Sequence, residues 1–214
     1  MIGIIGAGGH AKVITDIFRS QKPNERIVFF TMLPEAVDPY FLACEIEKDS
    51  EHVQMSYRSV LTGWHVAIGN PHIRRSKVEW LLRTGCPVIT AVHVSSVLAV
   101  SSKLGVGSSV MAGSIVNPDA VVGRGCIINT AAGLDHDCQI GDYVNIGPGC
   151  RLAGNVSVGK LSELGAGAVV IPGIRIGKGC VIGAGTVVTR NLPDYSKAVG
   201  VPARVIGELP PSAD

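Results

Sequence analysis

His136 lies between two aspartates in the window Leu134-Asp135-His136-Asp137-Cys138. A carboxylate bonded to one imidazole nitrogen fixes the tautomer and raises the basicity of the ring, as removal of a proton from an attacking amine or hydroxyl requires. The residues alone leave two other readings open: a solvated surface histidine, or one packed at a subunit contact. A second cluster lies at the start of the chain. The β-branched run Met1–Gly6 leads into Gly8-Gly9-His10-Ala11 and then into a helical pattern that sets Val13, Ile14, Ile17 and Phe18 on one side. Strand, glycine turn and helix make an opening that can receive a phosphate at the helix N-terminus. The match to the dinucleotide pattern is loose, and Thr31-Met32-Leu33-Pro34 follows the second strand, Ile27–Phe30, without an acidic residue, which disfavours a nicotinamide cofactor. A glycine turn that serves only close packing is the alternative.

The elements that must position these residues fall into two kinds. Trp64–Gly69 reads as a strand, Asn70 as a helix N-cap, and Pro71 as the first helical residue. The helix His72–Thr84 is expected to turn Ile73, Val78, Leu81 and Leu82 inward, with Arg74, Arg75 and Lys77 elsewhere, and Pro87–Val92 forms the next strand. Alternating strands and helices over residues 1–90 predict a small parallel-sheet, Rossmann-like α/β domain. Its ligand site should lie at the carboxyl ends of the strands, where Gly8, Gly9, His10, Gly69 and Asn70 fall. Residues 32–62, with Pro34, Pro39 and the acidic cluster Glu45–Glu51, read as irregular surface structure with at most a short helix.

From Val92 to Val188 every sixth residue is a branched aliphatic: Leu98, Leu104, Val110 and so on without exception. Four places after each anchor stands a small or compact residue, and Gly follows many anchors directly, as at Gly105, Gly123, Gly141 and Gly159. A short fixed period marks a solenoid whose repeats bury their apolar sides by stacking. The inward places are the anchor and the fourth residue after it, so His136, two places after its anchor, is not a core histidine. Cys126, Cys138, Cys150 and Cys180 all occupy the fourth-after-anchor place and read as packing groups, against a disulfide or a zinc cluster. The solenoid is expected over residues 91–190, with a C-terminal extension over 191–214.

Across the 214 residues, 46% hydrophobic and 17% charged composition argues for a folded protein, and a net charge of +2 without a basic stripe argues against nucleic acid as partner. No run approaches the roughly 18 apolar residues of a membrane span, so membrane insertion is not expected and a cytoplasmic location is. The repeat holds only His93 and His136, too few histidines for the metal of a γ-type carbonic anhydrase, and no metal is expected.

The repeat [LIV]-G-x-x-[small]-x resembles the left-handed parallel β-helix of the hexapeptide acyltransferases. Together, IIGAGGHAKVI near the N-terminus, AIGNPHIR, the DHDCQIGDYVNIGPG window and the closing VGVPARVIG resemble one group of them, the sialic acid O-acetyltransferases and nucleotide-aminosugar N-acetyltransferases. The resemblance implies a homotrimer with acetyl-CoA in the groove between neighbouring β-helices and a nucleotide-linked amino sugar on the N-terminal domain. It implies His136 as general base, Asp137 as its partner, Asn145, Ala166 and Ala184 along the pantetheine arm, and Gly8, Gly9 and His10 at the nucleotide sugar. The leading expectation is N-acetylation of a 4-amino-4,6-dideoxy sugar for bacterial surface glycans. O-acetylation of a sugar such as sialic acid, and a non-catalytic sugar-binding solenoid, are the alternatives. Relatives commonly carry His where this chain has Asn145, and uridine-binding relatives often carry Asp-Asp where it has Thr31-Met32.

Overall fold

A computed structural model describes residues 1–41 and 44–211. The last three residues of the expected C-terminal extension, 212–214, lie outside the described residues. The chain divides into two units, Met1–Val94 and Ser95–Asp214.

The first unit is built on a parallel sheet of β1 (Ile2–Ile5), β2 (Ile27–Thr31), β3 (Glu45–Lys48) and β4 (Gly63–Val66), in the order β3-β2-β1-β4. Position in the sheet explains composition: β1 lies between β2 and β4 and is buried at every residue, as a strand covered on both faces must be. The edge strand β3 carries the alternating Glu45-Ile46-Glu47-Lys48, charges that protect an open edge. That strand departs from the irregular structure expected there, while the helix α2 (Glu51–Ser56, following α1 below) is the short helix that the sequence allows in this region.

Helix α1 (Gly9–Gln21) buries Ala11, Ile14, Thr15, Ile17 and Phe18, while Val13 is exposed. Ala11, Ile14 and Phe18 follow the three-and-four spacing of a helix face, and Val13 falls beside it. In α3 (Pro71–Arg83) the buried residues are Pro71, Arg74, Val78 and Leu81, while Ile73 is half exposed. The expected inward place of Ile73 is thus taken by Arg74, which keeps the spacing with Val78 and Leu81. β4 ends at Val66 rather than Gly69, and of the expected strand Pro87–Val92 only a bridge from Val88 to Trp64 and the pair Ala91–Val92 form.

The cap on α3 is as read from the sequence. Asn70 Oδ1 accepts from the backbone N–H of His72 at 3.0 Å and of Ile73 at 3.1 Å. Asn70→Ala is expected to destabilise this unit by about 1 kcal/mol. Chemical denaturation read by tryptophan fluorescence checks it, since both tryptophans, Trp64 and Trp80, belong to this unit.

The second unit is a parallel β-helix. Its two-residue strands, Val97–Leu98 through Val187–Val188, each end on an anchor of the repeat. Val121 pairs with Gln139 and Ile127 with Asn145, so 18 residues, three hexapeptides, complete one coil. The anchors Val110 to Val188 and their fourth-after partners Ser108 to Thr186 fill the interior. The cysteine thiols lie against carbonyl oxygens, Cys126 Sγ at 3.0 Å from Gly141 and Cys150 Sγ at 3.1 Å from Gly165. They are packing groups, as the repeat implies.

Corners are made by the third residue after the anchor, which takes a left-handed backbone: φ is 60° at Asp119 and Asp137 and 59° at Asn155, with Gly at 107, 113, 125 and 149. Gly, Asn and Asp tolerate this region best. The glycine after the anchor has a different reason. A Cβ on Gly159 would stand 2.4 Å from the backbone nitrogen of Lys178, so the spacing between coils demands its absence. After the last coil, Ser196–Val199 adds to one face beside Val181–Ile182, and Arg204–Glu208 folds back on it antiparallel.

Candidate active site

The strand Gly133–Leu134 delivers the chain to the corner that carries His136. Asp135 Oδ1 accepts from the backbone N–H of His136 at 2.8 Å and from Asn117 Nδ2, one coil earlier, at 3.0 Å. These bonds, the backbone one foremost, hold the Asp135 carboxyl below its ordinary range. The imidazole Nδ1 lies 2.8 Å from Asp137 Oδ2, and the two side chains are 61% and 58% exposed. A carboxylate only accepts, so Nδ1 carries the proton and Nε2 is the basic nitrogen. The bond to Asp137, then the charge of Asp135, raises the His136 pKa above its ordinary value. Asp137 serves twice, as a left-handed corner residue and as the partner of the ring.

A general base acts in its neutral form, so the rate is expected to rise with pH through the His136 pKa. Asp137→Asn removes the main cause of the upward shift. The acid limb of kcat/KM is then expected to move to lower pH, while the plateau falls by up to about 10²-fold as the ring loses its orientation. A pH–rate profile of both proteins checks this.

Beside this corner a groove of about 390 Å³ runs along the face, walled by Ile115, Asn117, Asp135, Arg151 and Val169. Gly133, with no side chain between Ile115 and Arg151 in neighbouring coils, opens it.

The other residues singled out in the sequence occupy different places. Asn145 lies on another face of the β-helix, and its Nδ2 donates to Glu163 Oε2 at 2.9 Å. Ala166 and Ala184 occupy the corner that follows this face, stacked on successive coils where Gly147 and Gly165 bring the backbones close. That edge is distinct from the edge carrying His136, so one chain's β-helix does not bring the alanines to the imidazole.

In the first unit, Gly8 is the N-cap of α1, Gly9 its first residue, and His10 lies in its first turn. Packing explains Gly6, whose φ is 109° and whose Cβ would meet the Ala67 carbonyl at 2.7 Å. It does not explain Gly8, Gly9 or Gly69: a Cβ there would meet nothing within 4 Å. The reading of this turn as close packing alone therefore fails at Gly8 and Gly9, which, like Gly69, face open space.

His10 Nε2 is buried without a hydrogen-bond partner among the described residues. Burial first, then the nearby His65 and Arg74, lower the His10 pKa to about 3. Burial likewise lowers His65 to about 4, against the bond of its Nδ1 to the Ile89 carbonyl oxygen. Both are neutral at physiological pH. Sequence reasoning missed His65 and the role of Arg74, whose guanidinium donates to the carbonyls of Ile68 at 2.8 Å and Gly69 at 2.7 Å. It thus fixes the segment that presents Gly69 and Asn70.

Similarity to known proteins defines the class. Residues 1–81 match the PglD N-terminal domain, and residues 137–171 and 155–190 match the bacterial transferase hexapeptide of six repeats. PerB from Caulobacter crescentus, solved in complex with CoA and GDP-perosamine, is 40% identical with a TM-score of 0.87, and the match covers 96% of this chain and 97% of that one. That enzyme has also been solved with one histidine replaced by asparagine or by alanine. The acetyltransferase domain of PglB from Neisseria gonorrhoeae, in complex with acetyl coenzyme A, is 31% identical with a TM-score of 0.89, covering 96% and 98% of the two chains. A GDP-perosamine N-acetyltransferase of Escherichia coli O157:H7 is 34% identical over 93 residues, 44% of this chain and 42% of that protein, so the match spans less than half of this curated relative. The chain belongs to the hexapeptide-repeat acetyltransferases, in the group that joins a PglD-type N-terminal domain to a left-handed β-helix. This is the family its motifs resemble. Among the described residues no helix is long and apolar enough to cross a membrane.

Proposed function

We propose that this protein transfers the acetyl group of acetyl-CoA to the amine of a nucleotide-linked 4-amino-4,6-dideoxy sugar, with GDP-perosamine the first substrate to try. The observation that carries this reading is the His136–Asp137 pair, an exposed imidazole whose Nδ1 is held by a carboxylate and whose Nε2 is basic. His136 Nε2 takes a proton from the amine as its nitrogen attacks the thioester carbonyl carbon. Asp137 stabilises the resulting imidazolium. Collapse of the adduct breaks the C–S bond, and His136 returns the proton to the departing thiolate, leaving amide and free CoA.

In this reading residues 1–90 hold the nucleotide sugar, residues 91–190 carry the transfer, and residues 191–214 extend the β-helix. Gly8, Gly9, His10, Gly69 and Asn70 line the nucleotide sugar. Support comes from the open space over the three glycines and from the unsatisfied His10 Nε2, which a ligand group would satisfy. Asn70 Oδ1 is engaged as a cap, so its contribution comes from the backbone or Nδ2. The small residues Ala166 and Ala184, with Asn145 on the adjoining face, admit the pantetheine arm of CoA close to the backbone.

The active form is a homotrimer in the cytoplasm. One copy's His136 edge set against a neighbour's Ala166–Ala184 edge makes a groove walled by both, which one chain does not supply. Thr31-Met32, in place of the Asp-Asp of uridine-binding relatives, is in keeping with a base other than uracil. The test is release of free thiol from acetyl-CoA with GDP-, UDP- and dTDP-linked 4-amino-4,6-dideoxy sugars, alongside light scattering. The reading expects turnover with the GDP sugar by a trimer. No turnover with any of them, or a fully active monomer, contradicts it.

A further inference from the structure

The imidazole of His136 leans over the next coil, and the residue beneath it is Gly154. A Cβ built on Gly154 would stand 2.5 Å from His136 Nε2 and 2.6 Å from Cε1, well inside contact distance. The two residues occupy the same place in successive coils, 18 apart in the stacking that pairs Gly133 with Arg151. Along this column stand Val100, Pro118, His136, Gly154, Pro172 and Arg190. The corner therefore accepts a side chain everywhere except beneath the histidine.

A left-handed backbone does not account for the glycine at 154. Its φ lies outside the left-handed region, which the next residue, Asn155, adopts with φ 59°. Asn155 N–H donates to the His136 carbonyl at 2.9 Å, fixing the two coils together at this point. The atoms a Cβ at 154 would strike are the far end of a side chain, which yields more readily than the hydrogen-bonded backbone, so the ring is what rotates. Rotation carries Nδ1 away from Asp137 Oδ2, now 2.8 Å distant.

We infer that Gly154 is a positioning residue for the catalytic histidine: its missing side chain is the berth in which the imidazole lies while Nδ1 stays bonded to Asp137. The inference rests on the reading of His136 as general base only in its kinetic part.

The test compares wild type, Gly154→Ala, His136→Ala and the double variant. Histidine ring resonances are followed by NMR across pH, the His136 signal being the one lost in His136→Ala. In Gly154→Ala the His136 titration is expected to shift to lower pH, toward that of an ordinary histidine, with the thermal midpoint of the protein unchanged. With acetyl-CoA and GDP-perosamine, kcat is expected to fall by about tenfold or more. The Gly154 substitution is expected to have no further effect once His136 is alanine. An unchanged His136 titration in Gly154→Ala overturns the inference. So does a Gly154→Ala effect on kcat of equal size with and without His136. A shifted titration with unchanged kcat leaves the berth standing and overturns the base role of His136. If Gly154→Ala lowers the thermal midpoint, Gly154→Ala in the His136→Ala background decides. Recovery of the midpoint there confirms that the imidazole is what the Cβ strikes, and no recovery rejects it.

Discussion

Replacement of His136 by alanine is expected to lower kcat for acetyl transfer by about 10²–10⁴-fold, the usual worth of a positioned general base. Stability should change by no more than about 0.5 kcal/mol, because the side chain is 61% exposed and its loss opens no cavity. KM for the nucleotide sugar should change little, since its proposed contacts lie in residues 1–90. The acid limb of the pH–rate profile should vanish with the imidazole that titrates there. Steady-state kinetics with matched thermal melts checks all three. A variant within about threefold of wild type would mean that another group, or the amine's own equilibrium with solvent, manages the proton.

The second large effect is on the stability of the N-terminal unit in mild acid. His10 and His65 have folded pKa values lowered from 6.5 to about 3 and about 4, burial being the first cause of each. A histidine depressed on folding contributes stability that is present above its unfolded pKa and is lost as pH falls. Below pH 6.5 the unfolded chain takes up a proton at each ring and the folded chain does not until pH nears 4 and then 3. Between pH 7 and pH 5 the loss is about 2 kcal/mol per histidine, or about 3–4 kcal/mol for the pair after allowance for their interaction. Urea unfolding followed by tryptophan fluorescence reports this unit alone, as both tryptophans lie in it. The midpoint should fall between pH 7 and 5, and His65→Gln should flatten that fall. An unchanged midpoint would show that the rings are accessible to protons in the folded state.

How much of this could be read from the chain depends on the kind of signal. The β-helix was legible because a period of six forces the same residue type into the same place coil after coil: Val110 to Val188 stand buried where the count puts them, while Val92, Leu98 and Leu104, in the first coil, are only half-buried. His136 stood out because it fell off that count. The N-terminal helices were harder. Arg74 has the spacing of a core position with Val78 and Leu81, yet its charge suggests solvent, and Ile73 suggests core by type while lying exposed. Spacing carried the true signal, and the carbonyls of Ile68 and Gly69 make the buried charge tolerable. β3 was hidden because an edge strand facing water on one side carries the acidic residues of a surface loop. Gly154 was visible as the one glycine in its column, but its meaning depends on a ring that leans from the coil before it, which no local pattern contains. The separation of His136 from Ala166 and Ala184 onto different edges likewise depends on which hexapeptide of the coil each residue closes.

The central claim is that the protein acetylates an amine of a nucleotide-linked sugar with His136 as base. Its most direct test is NMR of the product formed from acetyl-CoA and GDP-perosamine by wild type and by His136→Ala. The expected result is a single acetyl group joined as an amide to the sugar nitrogen, one free CoA thiol per amide formed, and formation slowed by about 10²-fold or more in His136→Ala. An acetyl ester on a sugar hydroxyl, or equal rates for the two proteins, would contradict it.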